Sequence, residues 1–238
     1  MYKRQIDGFT LYGSWPGYNE YHPVTKIIEA VDKFKIDYAC AISSQGIFVD
    51  ALTGNTNTIN DCKTDSRLIP IGTADPRCNA IENVDFCINN KIKLMALFPN
   101  TQGWIPTTLS ARNLIEKISD AGLTMIIESP SEGNATAIYT SLIGLDIPVI
   151  LLDVSLRNLN EAISVIERRP NTYLATRLLA GGDTIEMLTS KIGSDKLLYN
   201  SRFPLSCFSS SFLTAKYATI TESDRNSIMG ANMAKFLR

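Results

Sequence analysis

Eight short apolar or β-branched runs, at 5–11, 38–42, 68–72, 94–98, 124–127, 149–152, 172–175 and 196–199, recur along the 238 residues. Runs this short and without strict alternation fit strands buried on both faces, as parallel sheets require. The stretches between them are amphipathic. Leu114, Ile115, Ile118 and Ala121 share one helical face, and Leu156, Leu159, Ile163 and Ile166 share another. A strand with its helix takes about thirty residues, the βα rhythm of a parallel sheet, and eight such units can close on themselves. An open doubly wound sheet would use fewer strands and a glycine fingerprint after the first, where this chain reads YGSWPGYNEYHP at 12–23. The sequence therefore predicts one α/β domain over 1–238, a single (β/α)8 barrel of the TIM type.

Helix boundaries support that segmentation. Thr221 precedes Asp224 by three residues, a capping-box-like start to a closing helix that carries Ile228, Met233 and Leu237. Asp183, after the Gly181-Gly182 pair, reads as the cap of its own helix, with phosphate binding by that turn as the lesser option. Residues 50–66 (DALTGNTNTINDCKTDS) are rich in Asn and Thr where a helix is due, so a short irregular helix or a mobile loop is expected.

Composition narrows the function classes. Lys plus Arg (23) against Asp plus Glu (24) gives a net charge of −1, which argues against nucleic acid as a primary partner. The first thirteen residues carry Lys3, Arg4 and Asp7 with no apolar signal core, and no run is long enough to span a bilayer, so neither export nor membrane insertion is expected. Five cysteines (Cys40, Cys62, Cys78, Cys87, Cys207) form no C-x-x-C pair, which predicts reduced, mostly buried thiols and a cytoplasmic location. One histidine, His22, precludes any multi-histidine metal site, and its place before the first helix pattern suits loop packing.

In a βα barrel the active face is built from strand C-termini and the loops after them. Reading past each run gives Tyr12; Ser43, Ser44 and Gln45; Asp75 with Arg77; Asn100; Glu128; Asp153; Arg177; and Asn200 with Arg202. More than half of such a list is expected simply because chains leaving buried strands return to solvent. Trp15 and Trp104 fall in loops after the first and fourth runs, where aromatic pocket walls are expected. Cys40 lies within the second run, with nothing beside it to activate a thiolate.

Three stretches, RLIPIGTADPR (67–77), KLMALFPNTQGW (93–104) and SDKLLYNSRFPL (194–205) followed by ESDRNSIMGANMAKFL (222–237), resemble the amidohydrolase-related TIM-barrel family of metal-dependent hydrolases. The resemblance implies an Asp-x-His-x-His motif on the first strand, where this chain has Asp7-Gly8-Phe9-Thr10-Leu11. The histidines it implies at the ends of the fifth and sixth strands fall close to Glu128 and Asp153. Its Gly-Ser-Asp-x-Pro becomes Asn200-Ser201-Arg202-Phe203-Pro204, so a cation stands in the place of the metal-binding or water-activating aspartate. The resemblance thus implies a hydrolase barrel whose metal ligands have been lost.

Zinc needs about four N, S or O ligands, more than Glu128 and Asp153 supply, so no metal cofactor is expected. An oxygen-ligated magnesium held by Glu128, Asp153 and Asn100 is the alternative, and Arg202 would repel it. Charge replacement is the simpler account: Arg202, with Arg177, neutralises Glu128 and Asp153. An arginine fork at a barrel mouth also suits a small polar or anionic ligand, bound by Asn100, Glu128, Asp153, Arg177 and Arg202. Glu128 and Asp153 are the candidates for any residual acid–base catalysis. The expected function is a non-catalytic or divergent ligand-binding barrel. The alternative is an active hydrolase or lyase with an altered or metal-free site, and a homodimer fits the family.

Overall fold

The computed structural model describes residues 4–17 and 20–238. Every predicted run is a strand or contains one: β1 (Ile6–Ser14), β3 (Tyr38–Ser43), β4 (Leu68–Pro70) with β5 (Gly72–Thr73), β6 (Leu94–Leu97), β7 (Thr124–Glu128), β8 (Val149–Leu152), β9 (Thr172–Ala175) and β10 (Leu197–Leu198). An added short strand, β2 (Tyr21–His22), folds back antiparallel on the end of β1. The third run is split at Ile71. Its first half pairs with β3 and its second with β6, so a single stave joins two parallel sheets. The remaining seam is closed by Gly8 N–H to the Tyr199 carbonyl (3.0 Å), Arg202 N–H to Phe9 (2.9 Å) and Leu11 N–H to Phe203 (3.0 Å). Eight staves therefore complete a (β/α)8 barrel.

Side-chain alternation divides the apolar residues into two cores. Phe9, Leu11, Cys40, Ile42, Leu94, Ala96, Phe98, Ile126, Ile150, Leu152 and Leu198 fill the lumen. Ala41, Met95, Leu97, Met125, Ile127, Val149, Leu151 and Leu197 face outward onto the helices. Those helices include α1 (Thr25–Phe34), α4 (Ala80–Asn89), α6 (Leu109–Asp120), α7 (Asn134–Ser141), α8 (Leu159–Arg168), α9 (Thr184–Ile192) and α10 (Phe208–Tyr217), with α5 (Pro99–Gln102) a single turn after β6. No helix among the described residues is long and apolar enough to cross a membrane.

Four expectations need correction. The polar 50–66 stretch contains a regular helix, α3 (Ala51–Cys62), after the single-turn α2 (Gln45–Phe48), with Asp50 accepting from Thr53 N–H. Two of its polar residues, Asn55 and Thr58, are buried with fixed partners. Asn55 exchanges two hydrogen bonds with the Thr73 backbone (2.8 and 2.9 Å), and Thr58 accepts from Ser43 N–H (2.9 Å). Asp183 occupies the cap position of α9 without a side-chain cap bond, because its backbone is left-handed (φ 57°) where a capping residue needs extended geometry. Leu156 lies ahead of α8 and is exposed. The closing helix is α-helical only over α11 (Glu222–Asn226), capped by Thr221 as expected (Asp224 N–H to Oγ1, 3.1 Å), and runs on as irregular turns carrying Ile228 and Met233. Beyond it the chain kinks at Gly230, where a Cβ would stand 2.0 Å from the Arg4 carbonyl oxygen.

Candidate functional site

At the C-terminal mouth the ends of β7, β8, β9 and β10 bring four charges together. Glu128 ends β7, Asp153 follows β8, Arg177 lies two residues past β9, and Arg202 follows β10. The Arg202 guanidinium donates through Nη1 to Asp153 Oδ2 and through Nη2 to Glu128 Oε1 (3.5 Å). Arg177 donates from Nε (3.1 Å) and Nη2 (2.5 Å) to Asp153 Oδ1, and from Nη1 to Ser206 Oγ (2.7 Å). Asp153 is thus gripped by two guanidiniums. All four side chains are largely buried, and burial alone lowers the Arg177 guanidinium from its ordinary range.

Glu128 is held from its other side by Thr101, through the backbone N–H (2.9 Å) and the hydroxyl (2.5 Å). Asn200 orients Arg177 by accepting its backbone N–H (3.1 Å). Two of the paired residues sit in strained backbone: Asp153 (φ 61°) and Arg202 (φ 54°) are left-handed. Aspartate tolerates that region, whereas arginine pays a cost of about 1 kcal/mol or more that its surroundings must offset. The face of Trp15 lies 5.1 Å from the Arg202 guanidinium, with Phe48 packed edge-on at 4.7 Å.

Asn100 does not join this cluster. It is exposed on α5 and shares with Glu128 and Trp104 a separate cavity of about 300 Å³. Asp75 and Arg77 pair locally at the rim (2.6 Å), and half-buried His22 faces Glu20 at 3.8 Å. Cys40, Cys62 and Cys87 are buried and Cys78 and Cys207 exposed; burial raises the Cys40 thiol well above its ordinary range, so it is inert.

Thr101 and Ser206 had no sequence signal beyond lying one residue past Asn100 and in the loop after Arg202. Asp7 is the other omission. It is fully buried on β1, accepts from Ser201 N–H (2.9 Å) and Phe9 N–H (3.2 Å), and leaves Oδ2 without a hydrogen-bond partner. Burial pushes its carboxyl up to about 7, against the opposing hydrogen bonds from Ser201 and Phe9.

The metal implied by the resemblance does not fit these residues. Phe9 and Leu11 point into the lumen at the motif positions, where Phe9 packs on Phe98 at 6.3 Å. Glu128 and Asp153 already accept from guanidinium and hydroxyl donors, and with Arg177 and Arg202 their formal charges sum to zero, leaving a cation no net attraction. Among the described residues no group of three or more His, Cys, Asp or Glu side chains is placed to hold a metal ion.

No family model matches the chain, and no curated protein sequence matches it. Solved structures do. A 5-carboxyvanillate decarboxylase from Sphingomonas paucimobilis superposes with a TM-score of 0.76 at 12% identity, covering 100% of this chain and 99% of that one. A probable 2-pyrone-4,6-dicarboxylic acid hydrolase from Acinetobacter baumannii, with citric acid bound, gives 0.75 at 12% identity, with 98% and 99% covered. An uncharacterized TIM-barrel protein from Bordetella bronchiseptica gives 0.76 at 15% identity, with 98% of both chains covered. Closure of the eight staves and superposition over nearly the whole length lead to one conclusion: the chain has a TIM-barrel fold, shared with these decarboxylase and hydrolase structures.

Proposed function

We propose that the chain is a metal-independent barrel of this fold that binds a small anionic molecule at its mouth without hydrolysing it. The observation that carries this reading is the double guanidinium grip on Asp153. Two arginines converging on one carboxylate form the geometry in which guanidinium recognises a carboxylate of any origin. A ligand carboxylate exchanging with Asp153, or entering beside it, would meet donors already held in place by Ser206 and Asn200. The hydrolase of the same fold with citric acid bound makes a polycarboxylate the first probe.

The carboxylates are poorly disposed for acid–base work, because their oxygens are already engaged by arginine and threonine donors rather than directed at a vacant reacting position. The test is titration calorimetry with citrate and 2,6-dihydroxybenzoate on the purified protein, alongside elemental analysis for zinc and manganese. One of the two anions should bind and be recovered unchanged. Arg177→Gln, which leaves Arg202 on both carboxylates, should weaken binding about tenfold or more. Stoichiometric tightly bound metal, or release of carbon dioxide from the aromatic acid, would overturn the reading in favour of an active hydrolase or lyase.

A further inference from the structure

Beside the mouth, outside the four-charge cluster, a cavity of about 490 Å³ opens between the end of β1, the start of α2 and the last turn of α3. Its inner wall carries Tyr12, whose ring is buried and whose hydroxyl makes no hydrogen bond of full geometry, interacting only with the Asp61 carboxylate and the Thr58 hydroxyl. A buried hydroxyl so incompletely paired leaves acceptor capacity on its oxygen, so this atom marks a place where a polar donor belongs. Asp61, one α-helical turn beyond Asn57 on α3, faces the same space, and its negative charge adds to burial in raising the Tyr12 hydroxyl above its ordinary range.

Three further features fix the chemistry of an occupant. First, Asp61 forms no ion pair among the described residues, and the described lining contains no Lys, Arg or His. Second, Asp61 lies in the last turn of a twelve-residue helix, where the carbonyl ends add partial negative charge rather than relieve it. Third, the outer wall is aromatic, with Phe48 and Tyr21 both exposed at the rim and Trp15 behind them. The cavity therefore combines a carboxylate and a hydroxyl acceptor at depth with aromatic faces at the opening. A carboxylate ligand would be repelled here, in contrast to the arginine pair next door.

We propose that this cavity binds an arylalkylammonium, a primary amine on a short chain with a flat apolar body. The ammonium donates to Asp61 and to the Tyr12 hydroxyl oxygen, and the ring lies against Phe48 and Tyr21. Three N–H donors match the acceptors available, since Gln45 Oε1, already accepting from Asn57, lies on the same wall. A volume of this order holds such a molecule with room for water. The inference is independent of anion binding at the mouth.

The test is titration calorimetry of the full chain with phenethylamine and with 3-phenylpropionate, its charge-reversed counterpart of similar shape. Phenethylamine should bind one to one and about tenfold or more tighter than the acid, the size expected for a charge-assisted hydrogen bond. Asp61→Asn, isosteric and half-exposed, should remove that preference while thermal unfolding stays unchanged. Tyr12→Phe should weaken the amine alone, and Arg177→Gln should leave amine affinity untouched. Equal binding of the two probes to Arg177→Gln, in which the anion site at the mouth is weakened, or full amine affinity in Asp61→Asn, would overturn the proposal. If Asp61→Asn failed to fold, Asn57→Leu, which narrows the cavity from the exposed face of α3, would carry the same test.

Discussion

Asp7 shows how one buried carboxyl sets a pH dependence for the whole chain. Its folded value of about 7 lies above its unfolded value near 3.8, so between those limits the folded state holds a proton that the unfolded state has released. Stability must then fall as pH rises from about 4 to 7 and level off above it. A gap of about three pH units corresponds to roughly 4 kcal/mol. Asp7→Asn keeps an oxygen for Ser201 and Phe9 N–H and removes the charge, so thermal unfolding should shift in its favour by a widening margin from pH 5 to pH 8. A constant margin across that range would show that Asp7 does not titrate there. Arg202 makes a second prediction at this scale. Arg202→Met leaves Glu128 without a cation and Asp153 with Arg177 alone and should cost roughly 3 kcal/mol, and Asp153→Asn in the same chain should recover part of that loss. Denaturant unfolding of the two single variants and the double variant measures the coupling.

At the scale of elements, α3 separates what was legible in the sequence from what was not. The strands could be read because parallel staves leave short, continuously apolar runs; the side facing the lumen, marked by Phe9, Leu11, Ile126 and Ile150, could not, because both faces of each stave are apolar. The 50–66 stretch could not be read, because its apparent polarity is internal: Asn55 and Thr58 are satisfied by backbone groups of β5 and β3 that only the closed barrel brings near. Thr101 and Asp7 were hidden for the same reason, their partners lying 27 and 194 residues away. The contact of α3 with α2 is also invisible locally. Gly54 sits so close that an added Cβ would fall 2.1 Å from the Gly46 backbone. Gly54→Ala, normally favourable in a helix, should here destabilise by about 1–3 kcal/mol in denaturant titration. Unchanged stability would mean that the two helices can part without loss.

On the scale of the molecule, the lumen is a largely hydrophobic plug beneath a neutral charge cluster, and the described residues contain no donor set suited to a metal. Adding a chelator, or zinc or manganese, should therefore move the unfolding midpoint by less than about 1 °C, since only a ligand that prefers the folded state shifts it. A rise of several degrees with either ion would contradict that account. The left-handed backbone at Asp153 and Arg202 extends the point from chemistry to descent. Backbone preference alone would favour glycine, asparagine or aspartate at both positions, yet an arginine is kept at one of them. Replacing Arg202 alone would leave Asp153 to Arg177 and Glu128 to Thr101, with one buried negative charge in excess of the cations around it. An aspartate at position 202 would therefore need Asp153 or Glu128 neutralised as well. The charge balance of the mouth thus limits single substitutions at position 202 to those that leave the buried carboxylates compensated.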